Sequence, residues 1–168
     1  MSFSIYDASA PIFLHSLAQL AHVLDKGLAH AQAAGTDPAM LLDARLAPDM
    51  FPLVRQVQSA SDASKFGIAR LTGVDAPRFE DTETTFEQLQ QRIAKTRDFI
   101  ASVPREAFAG AEDRDVLLKT GKGEIPFKGQ GYLQHFALPN FFFHVSMAYA
   151  ILRNQGVPVG KMDYLGKP

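Results

Sequence analysis

A chain of 168 residues, 46% apolar and 21% charged, has the length for one domain with a sizeable core and the composition of a globular rather than a disordered protein. Its net charge of −1, with 17 scattered basic residues, excludes the clustered Lys and Arg surface that nucleic acid or an anionic membrane requires. The absence of cysteine excludes disulfides, thiolate zinc sites and a cysteine nucleophile; with no visible signal peptide and no apolar run of spanning length, the expected location is the cytoplasm.

The first long segment, 7–34, carries Ile12, Leu14, Leu17, Leu20, Ala21, Leu24 and Leu28 at three- and four-residue spacing, which predicts an amphipathic helix. Ser4 or Asp7 is its expected cap, Pro11 belongs in its first turn and Gly35 terminates it. A short helix or ordered loop is expected over 38–46. The second main helix is expected to open at Pro48 and Asp49, with Pro52 still in its first turn, and to run through Val54, Val57, Ala60, Ala63, Phe66, Ile68 and Leu71 to Gly73. After an irregular link, Thr84 and Glu87 form an expected capping box. The third helix then places Phe86, Leu89, Ile93, Thr96, Phe99 and Ile100 on one face, with Glu87, Arg92, Lys95 and Arg97 expected on a solvated one, and ends at Pro104. Residues 116–119 and 125–128, flanking Gly121-Lys122-Gly123, predict a two-stranded hairpin with Pro126 on an edge. That glycine-lysine stretch lacks the spacing of a phosphate loop. The last helix is expected over 130–154, bent at Pro139, with Gly156 as its stop and a tail that folds back through its aromatic residue. The pattern is all-α: a four-helix bundle with a small β-hairpin before the last helix, in a single domain over residues 1–168.

Candidate chemistry centres on Pro139-Asn140-Phe141-Phe142-Phe143-His144. Asn140 and His144 are four apart and share a helix face, so an amide and an imidazole point toward one spot in a helical core. His135 is nine residues from His144, about half a turn out of phase, and is not expected to join it. Partners must come from another helix, and the second offers Gln56, Gln58 and Asp62. Glutamines are poor ligands for transition metals. Three readings follow: a buried hydrogen-bond network in which Asn140 and His144 satisfy each other or the carbonyls freed by Pro139, a ligand or catalytic pocket without metal, and a metal site. His15 and His22 lie seven apart at the edge of the first helix's apolar surface and are expected to be partly exposed, with no partner role. His30, near the helix end, suits the dipole there.

The run from Ala44 to Leu53, then Gln56, Tyr132-Leu133, Leu138-Pro139-Asn140-Phe141, Phe143-His144, Ala148-Tyr149, Leu152-Arg153, Gly156-Val157-Pro158 and Gly160-Lys161 resemble an uncharacterised DinB/YfiT-like family of bacterial proteins with a domain of unknown function. The resemblance spans nearly the whole chain. It implies a four-helix bundle, often dimeric. Many proteins of that wider group hold zinc or nickel through one histidine on the second helix and a His-x-x-x-His pair on the last, and several are thiol-dependent transferases or isomerases. His144 matches the second histidine of that pair, Asn140 stands where the first would be, and the second helix has no histidine, Gln56 or Gln58 being the nearest substitute.

The expected protein is therefore a cytoplasmic homodimer that binds a small molecule without a tightly held metal. Gln56 and Asn140 would orient the ligand, His144 would donate or accept a proton, and Asp49 or Tyr149 would lie nearby. The rivals are a zinc- or nickel-dependent enzyme with His144 as a ligand, and a non-enzymatic structural or stress-related dimer.

Overall fold

The computed structural model describes residues 4–166. Four long helices carry the core: α1 (Ala10–Ala34), α3 (Leu53–Thr72), α4 (Phe86–Ser102) and α6 (Leu138–Asn154). Short elements join them: α2 (Ala39–Asp43), a 3-10 turn (Arg105–Phe108), strands β1 (Asp115–Thr120) and β2 (Gly123–Lys128), α5 (Gly129–Tyr132) and, at the end, α7 (Lys161–Leu165). The chain is thus a mostly helical bundle with an antiparallel hairpin before the last long helix, as the pattern predicts. In that hairpin Val116 pairs with Phe127 and Leu118 with Ile125. Val116 and Leu118 turn inward while Leu117 and Lys119 face out, the period-two alternation of a half-buried strand.

The helices meet through the residues their periodicity marks. α3 packs most extensively on α6, and α1 on α4. Phe13, Leu17, Leu20, Leu24, Leu89, Ile93, Phe141, Ala148 and Leu152 are all buried. The Phe13 and Phe141 rings meet edge to face at 4.9 Å, a geometry that satisfies the ring quadrupoles. Gly35 closes α1 in the left-handed region at φ 66, as its position predicts.

Several boundaries differ from the sequence expectations, each for a physical reason. α1 begins at Ala10; Ser4 and Asp7 bond each other in the turn before it, Oγ to Oδ2 at 2.7 Å, rather than capping it. α3 begins at Leu53, not at Pro48 and Asp49. Pro52 stands just outside the helix in an extended conformation, and a residue that precedes proline, here Phe51, is pushed out of the helical region. The capping box of α4 sits one residue later than expected: Thr85 Oγ1 accepts from the Gln88 N–H and Gln88 Oε1 accepts from the Thr85 N–H, both at 3.2 Å. Burial of Phe86 and Leu89 sets that register. Arg92, expected on a solvated face, is buried.

Pro139 does interrupt the last helical stretch, through a π-helical turn at Leu133–Ala137 that separates α5 from α6. Proline lacks an N–H and its ring crowds the carbonyl four residues back, so a wider turn just upstream accommodates it.

The tail folds back as expected through its aromatic residue: Tyr164 Oη lies 3.0 Å from Ser146 Oγ and its ring meets Tyr149 edge to face. It also corrects the reading of His15 and His22. His22 Nε2 meets Asp163 Oδ1 at 2.8 Å, Lys26 joins the same carboxylate at 3.0 Å, and His15 Nε2 lies 2.6 Å from the Leu165 carbonyl. Both histidines are exposed, and both dock α7 onto α1.

Candidate functional site

His144 and Asn140 lie one turn apart on α6, and both line a cavity of about 250 Å³ between α3, α6 and the hairpin. α3 contributes Ser59, Asp62, Ala63, Phe66 and Arg70 to its wall, a continuous stripe at three- and four-residue spacing. Leu118 of β1, Tyr132, Phe136 and Ala137 complete it.

The imidazole is fixed from behind. His144 Nδ1 is 2.8 Å from Gln56 Oε1, and Gln56 Nε2 donates to the Phe51 carbonyl at 3.2 Å. That second bond settles the amide's orientation. With Nε2 committed as a donor, Oε1 can only accept, so His144 carries its proton on Nδ1. The other ring nitrogen, Nε2, is left as an unprotonated acceptor, and among the described residues no hydrogen bond engages it. Burial first, and the Arg55 guanidinium second, lower the imidazole's proton affinity below its ordinary value. A neutral histidine of fixed tautomer is therefore the resting form.

Three further polar groups face the same space. Arg70 Nη1 donates to Tyr132 Oη at 2.9 Å. Tyr132 is buried, and burial raises its pKa, so it remains a protonated phenol. The Asp62 carboxylate is bound at 2.9 Å by both Lys65 Nζ and Arg92 Nη2.

The site residues named from sequence divide cleanly. Asn140 and His144 share the cavity as expected, but they do not satisfy each other; Gln56 takes that role for His144. Gln56, 1% exposed, is not in the cavity wall, so it positions the imidazole rather than meeting a ligand. Gln58 turns away, donating to Glu83 at 2.8 Å. Asp49 is exposed in the segment before α3 and does not reach the cavity, because α3 starts four residues after it. Tyr149 lies nine residues from Asn140 on α6, about half a turn out of phase, with its hydroxyl toward the Val159 carbonyl, and is likewise absent from the wall. Arg70, Tyr132 and Ser59 were not foreseen. The spacing of Ser59, Asp62, Phe66 and Arg70 was the available signal, hidden by reading Phe66 as core when it is 37% exposed.

A family model described as a domain of unknown function (DUF1993) matches residues 5–165. The chain belongs to this family. The DUF1993 chain is also similar to a DinB family member protein from Shewanella denitrificans known from its crystal structure, with 39% identity and a TM-score of 0.91 over 98% of this chain and 93% of that one. No curated protein matches it. This DUF1993 protein is thus a DinB-like helical bundle, in agreement with the sequence resemblance. The zinc or nickel that the resemblance implied meets an unsuitable donor set here. His144 offers one nitrogen, Asn140 a weak amide donor, and Asp62 is already held by two cations. Among the described residues no three His, Cys, Asp or Glu side chains converge. These residues do not fit a tightly held transition metal. Nor is any helix among them long and apolar enough to cross a membrane.

Proposed function

We propose that this DUF1993 protein binds a small polar organic molecule in the cavity between α3 and α6, and that His144 exchanges a proton with it. The observation that carries the reading is the Gln56–His144 pair. A buried amide with no contact to the cavity fixes the imidazole so that its unprotonated nitrogen is the one without a protein partner. His144 is half-buried in the cavity wall, so its unpartnered nitrogen does not have to be satisfied from within the core and is available to a bound molecule. A general base needs this arrangement: one nitrogen oriented by a neighbour, the other available at neutral pH. Asn140, on the same wall, supplies an amide to orient the bound molecule. The cavity volume of about 250 Å³ lies just below the usual range for ligand sites, which restricts it to a compact molecule.

The test is nuclear magnetic resonance of the 15N-labelled protein with a library of small polar fragments, read at the His144 ring nitrogens and the Asn140 amide. Saturable shifts at both positions are expected. Ala63→Leu, which fills the cavity from α3, should weaken them about tenfold or more. Fragment shifts that survive Ala63→Leu unchanged, or that avoid His144 and Asn140 altogether, would refute the proposal.

A further inference from the structure

The cavity holds one cation that its surroundings do not neutralise. One wall residue, Asp62, belongs to a connected network that runs away from the cavity, in which Asp62, Asp81 and Glu83 face Lys65, Arg92 and Arg55: Lys65 and Arg92 on Asp62, Arg92 on Asp81 and Glu83, and Arg55 on Asp81. Three carboxylates meet three cations, so the network is complete in itself. Arg70 lies outside it. Among the described residues no carboxylate approaches its guanidinium, and the only hydrogen-bond partner of Arg70 is the uncharged Tyr132 hydroxyl at 2.9 Å. Its guanidinium carbon lies 5.3 Å from the Phe66 ring centre and 5.8 Å from that of Tyr132, close enough for both aromatic faces to hold it. Arg70 is therefore anchored, charged and lacking an anion, in the wall of the cavity that His144 and Asn140 also line.

We infer that the molecule bound in this cavity carries a carboxylate, received by Arg70 with the Tyr132 hydroxyl and the Asn140 amide as further donors, while His144 accepts a proton from a second group on the same molecule. The inference rests on the binding reading above and narrows its ligand class. A guanidinium presents planar, paired donors that match a carboxylate, and Nη1 alone is engaged by Tyr132. A single negative charge also fits the balance. The Asp62 carboxylate lines the same cavity and, though neutralised, would repel a doubly charged phosphate more strongly than a carboxylate. The donors and the acceptor are disposed for a ligand that is anionic at one end and proton-donating at the other.

Matched probes test this: benzoate against benzamide, and acetate against acetamide, with inorganic phosphate as a third anion. Binding is followed at the Arg70 Nε–H, His144 and Asn140 resonances. The expected result is that a carboxylate binds at least about tenfold tighter than its amide, the value of one charge-assisted bond, and that Arg70→Met removes the difference. Arg70→Lys, which keeps the charge without the fork, should recover part of it and guards against a folding defect in the methionine variant. Equal binding of each carboxylate and its amide, or binding indifferent to both Arg70 variants, overturns the carboxylate while leaving the cavity reading intact. Phosphate binding more tightly than either carboxylate, in an Arg70-dependent way, also overturns it. If no probe moves His144 or Asn140, and the wider fragment library does not either, both readings fall together.

Discussion

At the scale of single residues, the site depends on a hydrogen bond between side chains 88 positions apart, His144 to Gln56. Replacing Gln56 by Leu keeps the volume and removes the acceptor. The Nδ1–H and the Phe51 carbonyl both lose a partner, so a loss of about 1–3 kcal/mol in denaturant unfolding is expected. The same change should release the tautomer, moving part of the His144 proton to Nε2, which 15N chemical shifts read directly. The pH dependence of stability carries a second signature. Burial holds the folded-state pKa of His144 below its unfolded value, so between the two the unfolded chain binds more protons. This contribution is fully present above about pH 6.5, the ordinary histidine value, and is lost as pH falls through the folded-state pKa. His144→Gln should flatten that part of the stability profile; a profile unchanged by the substitution would show that the imidazole is not shielded from water. Half of this arrangement was legible in the sequence. The shared face of Asn140 and His144 follows from helical spacing alone, and Gln56 was among the candidates facing them. The contact of Arg70 with Tyr132 was not legible, because it joins residues 62 apart across a helix and a π-helical turn whose phase no local pattern reveals.

At the scale of elements, the long helices were legible because their apolar periodicity is strong, and their starts were less so because prolines and capping residues compete for register. Pro48 and Pro52 both satisfy the rule for a first turn, yet only burial of Leu53, Gln56 and Val57 decides where α3 begins. The junction from hairpin to α5 is a second case. Gly129 donates to the Arg114 carbonyl at 2.8 Å, and a Cβ built on it would lie 1.8 Å from the Ala111 carbonyl oxygen. Backbone, not a flexible side chain, fills that space. Gly129→Ala must therefore displace the 109–114 turn or the start of α5, and a destabilisation of about 1–3 kcal/mol is expected, typical of overpacking. Because β2 leads straight into α5, hydrogen exchange should quicken first in the hairpin and at Tyr132. The docking of α7 makes a third prediction. His22, the Gly160 N–H and Lys26 hold the Asp163 carboxyl well below the usual carboxylate range. Asp163→Ala removes all three contacts, and since the pairs are at the surface and partly exposed the global stability should change little. Limited proteolysis should nonetheless cut within 157–165 far sooner than in the parent chain; equal cutting rates would mean that Tyr164 and the His15 contact to the Leu165 carbonyl suffice to retain the tail.

At the scale of the whole molecule, α3 and α4 are joined by charge where the sequence pattern leads one to expect only apolar packing. Arg92 is 3% exposed, and each part of its guanidinium has its own partner: Nε donates to Ser61 at 3.1 Å, Nη1 to Asp81 at 2.9 Å and Glu83 at 3.1 Å, and Nη2 to Asp62 at 2.9 Å. Lys65, equally buried, completes the group beside the Phe79 ring at 4.2 Å. Burial opposes the charge on Arg92, but Glu83, Asp62 and Asp81 outweigh it and keep the group protonated. This one side chain ties the irregular link between α3 and α4 to both helices, and through Asp62 it reaches the cavity wall. Removing it should therefore act on stability and on the site together. Arg92→Met leaves three carboxylates sharing Lys65 and Arg55. Breaking a buried ion pair costs about 3–5 kcal/mol, and the lower end applies because Asp62 and Asp81 keep a third of their side-chain surface in water. Arg92→Lys should recover little of that loss, since an ammonium cannot span Ser61, Asp62 and the two acids of the link at once. The discriminating measurement is urea unfolding at low and high salt. A buried network resists screening, so the difference between parent and Arg92→Met should persist at 1 M salt, where the Debye length is about 3 Å. A difference that vanishes there would mean that the group is wetted and that Asp62 reaches the cavity with its charge only loosely offset, which would also remove the reason for assigning the surplus positive charge to Arg70.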